Sequence, residues 1–415
     1  MHKLIHQNIA NFNISIHLPS SKSISNRALI LNAFYNHQVK LHNISEADDT
    51  QLMLTALNTT NTDINLKNAG TCMRFLAAFF AAQNHEEVNL LCSKRMEQRP
   101  IADLVNALQN LGAEISYLNS LNFPPLNIKG KILNGGNIAI NASESSQFIS
   151  ALMLIAPFIN NGLTMELLGN IASFDYIKMT ALLMEKFGLT VNINNQIITI
   201  PNQPNAPIIN EYTIENDWSS AAFWYLTCCL NNQISISLKT LSLNSIQGDK
   251  ITPEIFKQLG VNTTSNFDHL IIQKQLEAKP TCYFDLGNCI DLAPALCVAC
   301  AALNINATIT GLENLVIKES NRLEAIVTEL KKLGYNITFN SNTIFTHPSS
   351  FIDFEKQVTI NTYSDHRIAM AFAPLALKFK NLSLDNLEVV NKSYPNFFAE
   401  LAKVGIQTTS LSKIE

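Results

Sequence analysis

Hydroxyl and basic side chains gather at six places in this sequence, each just before or within the first turn of a strongly apolar, helix-like stretch. In the first of them SSKSISNR runs into ALILNAF, and in the last SDHR runs into IAMAFAPLAL. The free N–H groups and partial positive charge at the start of a helix bind phosphate and carboxylate groups. The basic residues at these starts are Lys22, Arg27, Arg74, Arg99, Lys318, Arg322 and Arg367. Since the chain has only 29 lysines and arginines, this placement predicts a ligand with more than one anionic group.

Each cluster taken alone also has a purely structural interpretation. A Ser or Asn before a helix commonly caps it, and a single Lys or Arg is commonly a solvated surface charge. Asn321 followed by Glu324 matches a capping box, for example. The functional interpretation therefore rests on the combination of clusters rather than on any one of them.

Composition and charge narrow the class of protein. Of the 415 residues, 47% are hydrophobic and 15% are charged, which is enough apolar material for a packed core. A net charge of -4 argues against nucleic acid or an anionic membrane surface as the main partner. No apolar run approaches the roughly 18 residues that span a bilayer, and the first residues contain no apolar signal core. We therefore expect a soluble, cytoplasmic protein.

Other familiar chemical motifs find no support. The eight cysteines are expected to be reduced thiols, and the CxxC of Cys297 and Cys300 lies in an apolar run that favours a core helix. A zinc site would need a second pair of ligands at a suitable spacing. There is no P-loop, dinucleotide-binding glycine motif, GxSxG or HExxH. Nucleotide cofactors, hydrolase triads and catalytic zinc are therefore not indicated.

A repeat positions these clusters. Five amphipathic segments end in an apolar residue and a glycine, followed by a short strand-like run. The glycines are Gly112, Gly188, Gly260, Gly334 and Gly405, separated by 71 to 76 residues. A sixth copy near residue 53 lacks the glycine. The spacing predicts six α/β units in two groups of three, with coincidence as the alternative, because helix-glycine-strand connections are common in α/β proteins.

Seven blocks of the sequence resemble the motifs of the EPSP (5-enolpyruvylshikimate-3-phosphate) synthase family, in the family's order, over positions 18 to 398. They read LPSSKSISNRALIL, KNAGTCMRFL, RMEQRPIADLVNAL, SSQFISALM, IKESNRLEAI, TYSDHRIAMAF and NKSYPNFF. The resemblance implies an α/β fold of two domains, each with three βαβαββ units around buried helices. It also implies that one domain spans 19–215, that the other combines 1–18 with 216–415, and that the active site lies in the cleft between them.

The resemblance further implies a transferase activity. Members of the family move the enolpyruvyl group of phosphoenolpyruvate to the 5-hydroxyl of shikimate 3-phosphate and release phosphate, as part of aromatic amino-acid biosynthesis. The reaction passes through a tetrahedral intermediate by addition and elimination. No metal or organic cofactor is implied, no nucleic acid or membrane is expected as a partner, and a monomer is expected.

Position by position, the resemblance implies two overlapping sets of substrate contacts and a smaller catalytic set. Contacts to shikimate 3-phosphate are implied for Lys22, Ser23, Arg27, Ser145, Ser146, Gln147, Ser173, Tyr176, Asp291, Asn314 and Lys318. Contacts to phosphoenolpyruvate are implied for Lys22, Asn68, Gly70, Arg99, Gln147, Arg322, His366, Arg367 and Lys392. The catalytic set is Asp291, Glu319, Lys22 and Lys392.

The chemistry requires these residue types. The 5-hydroxyl is a weak nucleophile and needs a base, for which Asp291 is the candidate. The methylene carbon of phosphoenolpyruvate gains a proton and later loses one, a role suited to a carboxyl group such as Glu319. The departing phosphate gathers negative charge, which Lys22 and Lys392 would neutralise. In the structural alternatives, Glu319 serves a helix dipole, Asp291 is a cap, and His366 only begins a helix.

The chain departs from the family pattern at Ser20 and Lys67, where glycine is usual, and at Phe75, where proline is usual. One alternative is the sister transferase that acts on UDP-N-acetylglucosamine, whose reactive-cysteine loop is not matched between Cys92 and Arg99. A catalytically inactive homologue that only binds ligands is the other alternative. It would be signalled by loss of the catalytic set, all of which is present.

Overall fold

The computed structural model describes residues 1–7, 12–84, 87–266 and 269–410. Contacts between Cα atoms divide the chain into two compact units. The split unit combines Met1–Pro19 with Glu215–Glu415, and the insert unit spans Ser20–Ile214.

The strands are short, as is usual for small sheets in α/β proteins. They are β1 His2–His6, β2 Asn13–His17, β3 Lys40–His42, β4 Asp63–Asn65, β5 Glu87–Leu91, β6 Glu114–Tyr117, β7 Leu126–Lys129, β8 Asn134–Asn141, β9 Asn160–Leu168, β10 Asn192–Asn194, β11 Ile197–Ile200, β12 Glu211–Thr213, β13 Ser235–Lys239, β14 Val261–Asn266, β15 His269–Lys274, β16 Thr281–Asp285, β17 Asn306–Thr310, β18 Asn336–Phe339, β19 Ile344–His347, β20 Val358–Ile360, β21 Leu382–Leu384 and β22 Ile406–Ser410.

The helices alternate with these strands. They are α1 Lys22–Phe34, α2 Asp48–Asn58, α3 Gly70–Ala81, α4 Ala102–Asn110, α5 Ser146–Ile155, α6 Phe174–Lys186, α7 Trp218–Leu230, α8 Thr252–Lys257, α9 Ala293–Ala302, α10 Arg322–Lys332, α11 His366–Phe372 and α12 Phe397–Lys403.

The strands of the described residues form six sheets, three in each unit. The insert unit holds β12-β3, β4-β5-β7-β6 and β10-β11-β9-β8 in that hydrogen-bonded order. The split unit holds β14-β15-β13-β2, β16-β17-β19-β18 and β20-β21-β1-β22. Each four-stranded sheet contains one parallel pair and two antiparallel pairs. Five βαβαββ-like sheets and one two-stranded sheet therefore correspond to the six units expected from the repeat.

A parallel pair needs a crossover connection, and in four of these sheets a helix supplies it. The crossover helices are α3, α5, α9 and α11. All ten residues of α9 and all seven of α11 are buried. A helix that is buried on every side lies in an interior, so α9 and α11 lie inside the split unit. The amino ends of α3, α5 and α11 carry three of the six polar clusters singled out in the sequence, and the other three lie at the starts of α1, α4 and α10.

The repeat glycines end helices as the sequence predicts. Gly112, Gly188, Gly260, Gly334 and Gly405 all have φ between +87° and +99°. This left-handed conformation at the residue after a helix is cheap only for glycine, because it has no Cβ. After Gly112 and Gly334, for example, the chain enters β6 and β18 within two residues.

The core of the split unit is one continuous cluster of apolar side chains, with Trp218, Trp224 and Phe372 fully buried. In the part of the chain that is described, no helix combines the length and the apolarity that crossing a membrane would take.

Candidate active site

Arg27 ties together four helices of the insert unit. Its Nε donates to Thr180 Oγ1 on α6 at 2.7 Å, and its Nη2 donates to Ser150 Oγ on α5 at 3.2 Å. The guanidinium also lies over the ring of Phe75 on α3, 5.1 Å from the centroid, and Nη1 donates to Ser23 O on α1 at 2.9 Å. Within the described residues these hydrogen bonds all go to neutral oxygens, and burial lowers the pKa of Arg27 to about 10. The interior of this unit therefore holds a cation whose hydrogen bonds involve no carboxylate.

Lys22 opens α1 and has an acidic partner. Its Nζ lies 3.1 Å from Asp49 Oδ2 in α2, and both side chains are largely buried. Cys72 donates its thiol to the Asp49 carbonyl at 2.8 Å, which ties α3 to the same place. The Ser21 hydroxyl caps α1 by accepting from Ile24 N at 3.4 Å. Asp49 was not among the candidate residues, because nothing in its sequence neighbourhood distinguishes it from an ordinary first-turn acid.

Two arginines stand over the start of α3. Arg74 Nη1 donates to Gln147 Oε1 at 2.9 Å, and Gln147 Nε2 donates to Thr71 Oγ1 at 3.3 Å. A Cβ added at Gly70 would lie 2.6 Å from Arg99 Nη1 and 2.7 Å from Arg74 Nη1. No side-chain hydrogen bond from Ala69 caps α3, and the first backbone N–H groups of a helix have no partner within the helix. Two guanidinium groups lie beside these N–H groups, so several hydrogen-bond donors are close together at the start of α3. Arg74, which was left out of the candidate set, is thus part of this cluster.

The resemblance implies that phosphoenolpyruvate contacts Gly70. On that expectation Gly70→Ala should weaken its binding, because the new methyl group would push the Arg99 and Arg74 guanidinium groups aside. Overpacking a tight site typically costs about 1–3 kcal/mol, so we expect KM for phosphoenolpyruvate to rise about tenfold or more. KM for shikimate 3-phosphate should change less than about twofold. Gly287→Ala is the matched control, since its Cβ would meet only Asp285 Oδ1, at 3.3 Å. Equal losses for both substrates would show instead that Gly70 serves turn geometry alone.

The remaining insert-unit candidates lie at the starts of α5 and α6. Ser145 caps α5 through its hydroxyl, which accepts from Gln147 N at 3.3 Å, and Ser146 is its first residue. Ser173 precedes α6 at φ +53° without a side-chain cap bond, so its hydroxyl is not used to begin the helix. The Tyr176 carbonyl accepts from Thr180 Oγ1 at 2.8 Å, which connects it to Arg27. Asn68 is half-buried in the turn before α3.

Arg322 is the centre of the split-unit cluster. Its Nε donates to Asp365 Oδ2 at 2.8 Å, Nη1 to Asp291 Oδ1 at 3.0 Å and Nη2 to Glu319 Oε2 at 2.6 Å. Burial alone would lower the pKa of Arg322, but the three carboxylates outweigh it and raise that pKa. One guanidinium therefore holds both carboxylates of the candidate catalytic set, each on its own terminal nitrogen.

Asp291 lies among three cations. Arg367 Nη2 is 3.0 Å from Asp291 Oδ2, while Lys318 Nζ is 3.6 Å from Oδ1. Burial would raise the pKa of Asp291, but Arg367, Lys318 and Arg322 outweigh it and hold the pKa well below its usual range. Asp291 sits in the 3₁₀ turn Ile290–Leu292, whose cap residue is Cys289, and the cap residue of the following helix α9 is Leu292, so Asp291 is the cap residue of neither.

Glu319 is also ion-paired on two sides, with Lys392 Nζ 3.6 Å from Oε1 in addition to Arg322. It precedes Asn321, which caps α10 by accepting from Glu324 N at 3.3 Å, so Glu319 lies outside the helix. The predicted cap at Asn321 is confirmed. Asn314 is half-buried in the 3₁₀ turn Glu313–Ile317 that leads to this segment.

Asp365, like Asp49, is a neighbour of the candidate residues that was not itself a candidate. It is fully buried, and its carboxylate accepts hydrogen bonds from the Arg322 guanidinium and the Ser320 hydroxyl. It also caps α11 by accepting a hydrogen bond from Arg367 N at 3.0 Å. His366 is the first residue of that helix and is buried, with Nδ1 3.7 Å from Asp365 Oδ1. An aspartate directly before His-Arg at a helix start was the available signal, because a cap of this kind also orients the residues after it.

Asp249 is a second buried carboxylate in the split unit, and the Ser219 hydroxyl of α7 donates to it. Burial, reinforced by the charge of Asp291, raises the pKa of Asp249 to about 7, although Ser219 and Arg367 act in the opposite direction. This group therefore titrates in the folded protein near neutral pH.

Asp249→Asn is expected to stabilise the protein at pH 8 by about 2–4 kcal/mol and to flatten its stability below that pH. The folded state binds this proton more tightly than the unfolded chain, where an aspartate has a pKa of about 3.9. The stability that the proton contributes is thus complete at about pH 4 and is lost as the pH rises through 7. Urea unfolding between pH 4.5 and 8.5 measures it, with Asp353→Asn at an exposed position as control. A variant curve parallel to the wild-type curve would contradict the shift.

Comparison with known proteins decides the family. The sequence profile of EPSP synthase (3-phosphoshikimate 1-carboxyvinyltransferase) matches residues 6–63 and 57–401. A 3-phosphoshikimate 1-carboxyvinyltransferase of Bacteroides fragilis (strain YCH46) is 41% identical over 392 residues, which cover 94% of this chain and 95% of that protein. The chain belongs to the EPSP synthase family. The enzyme of the same name from Haemophilus ducreyi is 34% identical over 418 residues, again covering 94% of this chain and 95% of the relative.

The fold agrees with EPSP synthase structures. The EPSP synthase of Acinetobacter baumannii superposes with a TM-score of 0.76 over 99% of this chain and 100% of that chain, at 20% identity. The family, the α/β fold class and the assignment as a 3-phosphoshikimate 1-carboxyvinyltransferase are therefore confirmed. Ion pairs join six of the candidates in the split unit, which are Asp291, Lys318, Glu319, Arg322, Arg367 and Lys392. In the insert unit the candidates lie in separate groups, around Arg27, at Lys22 and at the start of α3.

Proposed function

We propose that the protein transfers the enolpyruvyl group of phosphoenolpyruvate to the 5-hydroxyl of shikimate 3-phosphate and releases phosphate. The observation that carries the mechanism is the arrangement at Arg322. Its two terminal nitrogens donate hydrogen bonds to Asp291 and Glu319, so one guanidinium group binds both the candidate base and the candidate acid. An addition-elimination reaction needs both, because a hydroxyl proton must leave while a methylene carbon gains one.

In the addition step, Asp291 accepts the proton of the 5-hydroxyl group. The 5-hydroxyl oxygen at the same time forms a bond to C2 of phosphoenolpyruvate. Glu319 delivers a proton to C3, which becomes a methyl group, and a tetrahedral intermediate results. In the elimination step, the Glu319 carboxylate takes a proton back from C3, the C2–C3 double bond re-forms, and the C2–O bond breaks as phosphate leaves. Lys22 and Lys392 neutralise the charge that the departing phosphate gathers.

Asp291 can act as a base only when its surroundings change. Arg367, Lys318 and Arg322 hold its pKa well below the usual range, which makes it a weak proton acceptor. Substrate phosphate and carboxylate groups compete for the same cations, and each cation drawn away raises the basicity of Asp291. Proton abstraction is thereby linked to substrate binding, which limits unproductive proton transfer.

Both units contribute to this proposal. The insert-unit residues assigned to shikimate 3-phosphate are Lys22, Ser23, Arg27, Ser145, Ser146, Gln147, Ser173 and Tyr176. Asp291, Asn314 and Lys318 add to that set from the split unit. The phosphoenolpyruvate contacts are assigned to Lys22, Asn68, Gly70, Arg99 and Gln147 of the insert unit and to Arg322, His366, Arg367 and Lys392 of the split unit. We therefore propose that the two substrates meet residues of both units.

A purified protein mixed with shikimate 3-phosphate and phosphoenolpyruvate is expected to release inorganic phosphate, with the carboxyvinyl ether as the second product. Replacing shikimate 3-phosphate with UDP-N-acetylglucosamine is expected to abolish release. No release with either acceptor would leave a binding homologue, and release with the nucleotide sugar alone would favour the sister transferase. The acceptor substitution thus separates the three possibilities in one assay.

We also propose a cytoplasmic monomer that requires no metal or organic cofactor. The cysteines of the described residues are free thiols, in keeping with a reducing compartment. Light scattering at assay concentration would test the monomer, and activity after exhaustive chelation would test the independence from metal.

A further inference from the structure

The segment that leads into α11 has an unusual backbone. Tyr363 and Ser364 are consecutive non-glycine residues, and both have φ +54°. A side chain with a Cβ adopts this left-handed region at a cost in free energy, and two such residues in a row add their costs. Conformations of this kind persist only where surrounding contacts over-determine them. The segment ends at Asp365, His366 and Arg367, so whatever holds it also fixes where these three side chains stand.

A buried glutamate on α10 supplies that hold. Glu329 is completely buried, and its Oε1 accepts the Tyr363 hydroxyl at 2.6 Å. Its Oε2 accepts Asn361 N at 3.2 Å, and Lys332 Nζ lies 2.7 Å and 2.8 Å from the two oxygens. The carboxylate therefore grips the segment at two points, one on the backbone and one at the tip of a tyrosine whose ring is partly exposed. Burial and the Glu329 hydrogen bond raise the pKa of Tyr363, so the hydroxyl stays protonated and donates.

The far side of the segment is fixed separately. Thr362 N donates to Asp385 Oδ1 at 2.9 Å, and Asp365 N donates to Thr362 O at 2.8 Å. Asp365 then receives Arg322, which holds Asp291 and Glu319. Hydrogen bonds and the covalent backbone of residues 361–365 together thus connect Glu329, through the left-handed turn, to the candidate catalytic carboxylates.

We propose that Glu329 and Tyr363 are a positioning pair for the phosphoenolpyruvate side of the site. They act through the 361–364 backbone, which sets the placement of Asp365, His366 and Arg367, and they touch neither substrate. This inference rests on the proposed function, which assigns His366 and Arg367 to phosphoenolpyruvate. Lys332 compensates the buried charge of Glu329 whether or not the tyrosine hydroxyl is present, so the hydroxyl adds geometry rather than charge balance.

Tyr363→Phe removes only the oxygen that reaches Glu329. Its matched control is Tyr225→Phe, which removes a buried hydroxyl that lies 2.9 Å from Thr263 Oγ1 between α7 and β14. Hydrogen bonds to charged groups contribute enough to stabilise one backbone arrangement roughly tenfold or more. We expect Tyr363→Phe to raise KM for phosphoenolpyruvate about tenfold and to leave KM for shikimate 3-phosphate within about twofold. The Tyr225→Phe variant is expected to change neither KM by more than about twofold.

Rescue tests whether the effect passes through the backbone. Asparagine adopts the left-handed region more readily than serine, so Ser364→Asn should make the turn less dependent on its anchor. In the double variant with Tyr363→Phe, we expect KM for phosphoenolpyruvate to return to within about threefold of the wild-type value. Ser364→Asn alone should behave as wild type.

Hydrogen exchange followed by mass spectrometry gives a readout that needs no turnover. Amides of residues 362–367 should exchange faster in Tyr363→Phe than in wild type or Tyr225→Phe. If the wild-type protein released no phosphate, the proposed function would be wrong. The exchange rates would still show whether the Tyr363 hydroxyl holds the 362–367 backbone in place. Unchanged exchange and unchanged KM for phosphoenolpyruvate in Tyr363→Phe would overturn the inference, as would equal increases in KM for both substrates.

Discussion

Replacing Glu319 with Gln, or Asp291 with Asn, is expected to remove most turnover while the protein stays folded and still binds shikimate 3-phosphate. Both changes keep the size of the side chain and remove a group that can exchange protons. General acid and base groups typically contribute about 10²–10⁴-fold, so kcat should fall by that range. Single-turnover phosphate release measures the loss, and calorimetric titration with shikimate 3-phosphate measures the retained binding.

A structural role for these carboxylates would give a different pattern. Each accepts from Arg322, so a purely structural carboxylate would show its loss chiefly in the melting temperature. Glu400→Gln is the matched control, because Glu400 is a similarly buried glutamate, paired with Lys403 and outside the candidate set. If kcat of Glu319→Gln or Asp291→Asn stayed within threefold of wild type, that carboxylate would have no part in the chemistry.

Arg322→Met is expected to have the largest effect on stability, and the effect should grow with pH. The substitution leaves Asp365, Asp291 and Glu319 close together without their shared counter-charge. Removing one partner of a buried ion pair typically costs about 3–5 kcal/mol. Protonation of the carboxylates relieves the repulsion, so the loss should be smaller at pH 5 than at pH 8. Urea unfolding at the two pH values measures it, and turnover should be lost together with the placement of the acid and base.

Arg27→Met is the control, because it removes an equally buried guanidinium whose hydrogen-bond partners are neutral. Thr180 Oγ1 and Ser150 Oγ are 3.0 Å apart and keep each other as partners when the arginine is gone. The Arg27 variant should therefore lose less stability, with little difference between pH 5 and pH 8. If the Arg322→Met protein does not accumulate in a folded form, Arg322→Lys can be measured in its place. A loss at Arg322 that is independent of pH would contradict the ionic explanation.

The sequence alone predicts which helix ends carry the polar clusters. It says much less about which side chains those clusters contact in the folded protein. Ser21, Asn321 and the glycines at helix ends act over three or four residues of chain, so their roles follow from local spacing. The contrast between Arg27 and Arg322 could not be seen in the same way. Both are arginines near the start of a helix, yet one meets Thr180 and Ser150 and the other meets Asp291 and Asp365.

Those partners are distant in sequence and are brought together only by packing of the helices. Thr180 lies 153 positions from Arg27, and Asp365 lies 43 positions from Arg322. The same limit explains why Asp49 and Asp365 were missed as neighbours of the site, although Asp365 stood inside a quoted block. Residue type and order identify the family, whereas the electrostatic character of each cluster depends on tertiary contacts.

The first seventeen residues have a consequence for how the protein is made. Strand β1 lies between β21 and β22, pairing His2 with Leu384 and Ser410, while β2 is the edge strand beside β13. All the strands of the insert unit lie within Ser20–Ile214, so that unit can close while the ribosome is still at work. At a synthesis rate of about 5–20 residues per second, β21 and β22 leave the ribosome roughly 20–80 seconds after β1. Until β1 pairs with both, each of these two strands has an unpaired edge. A change in β1 therefore acts on a late step of assembly, although β1 is synthesised before every other strand described.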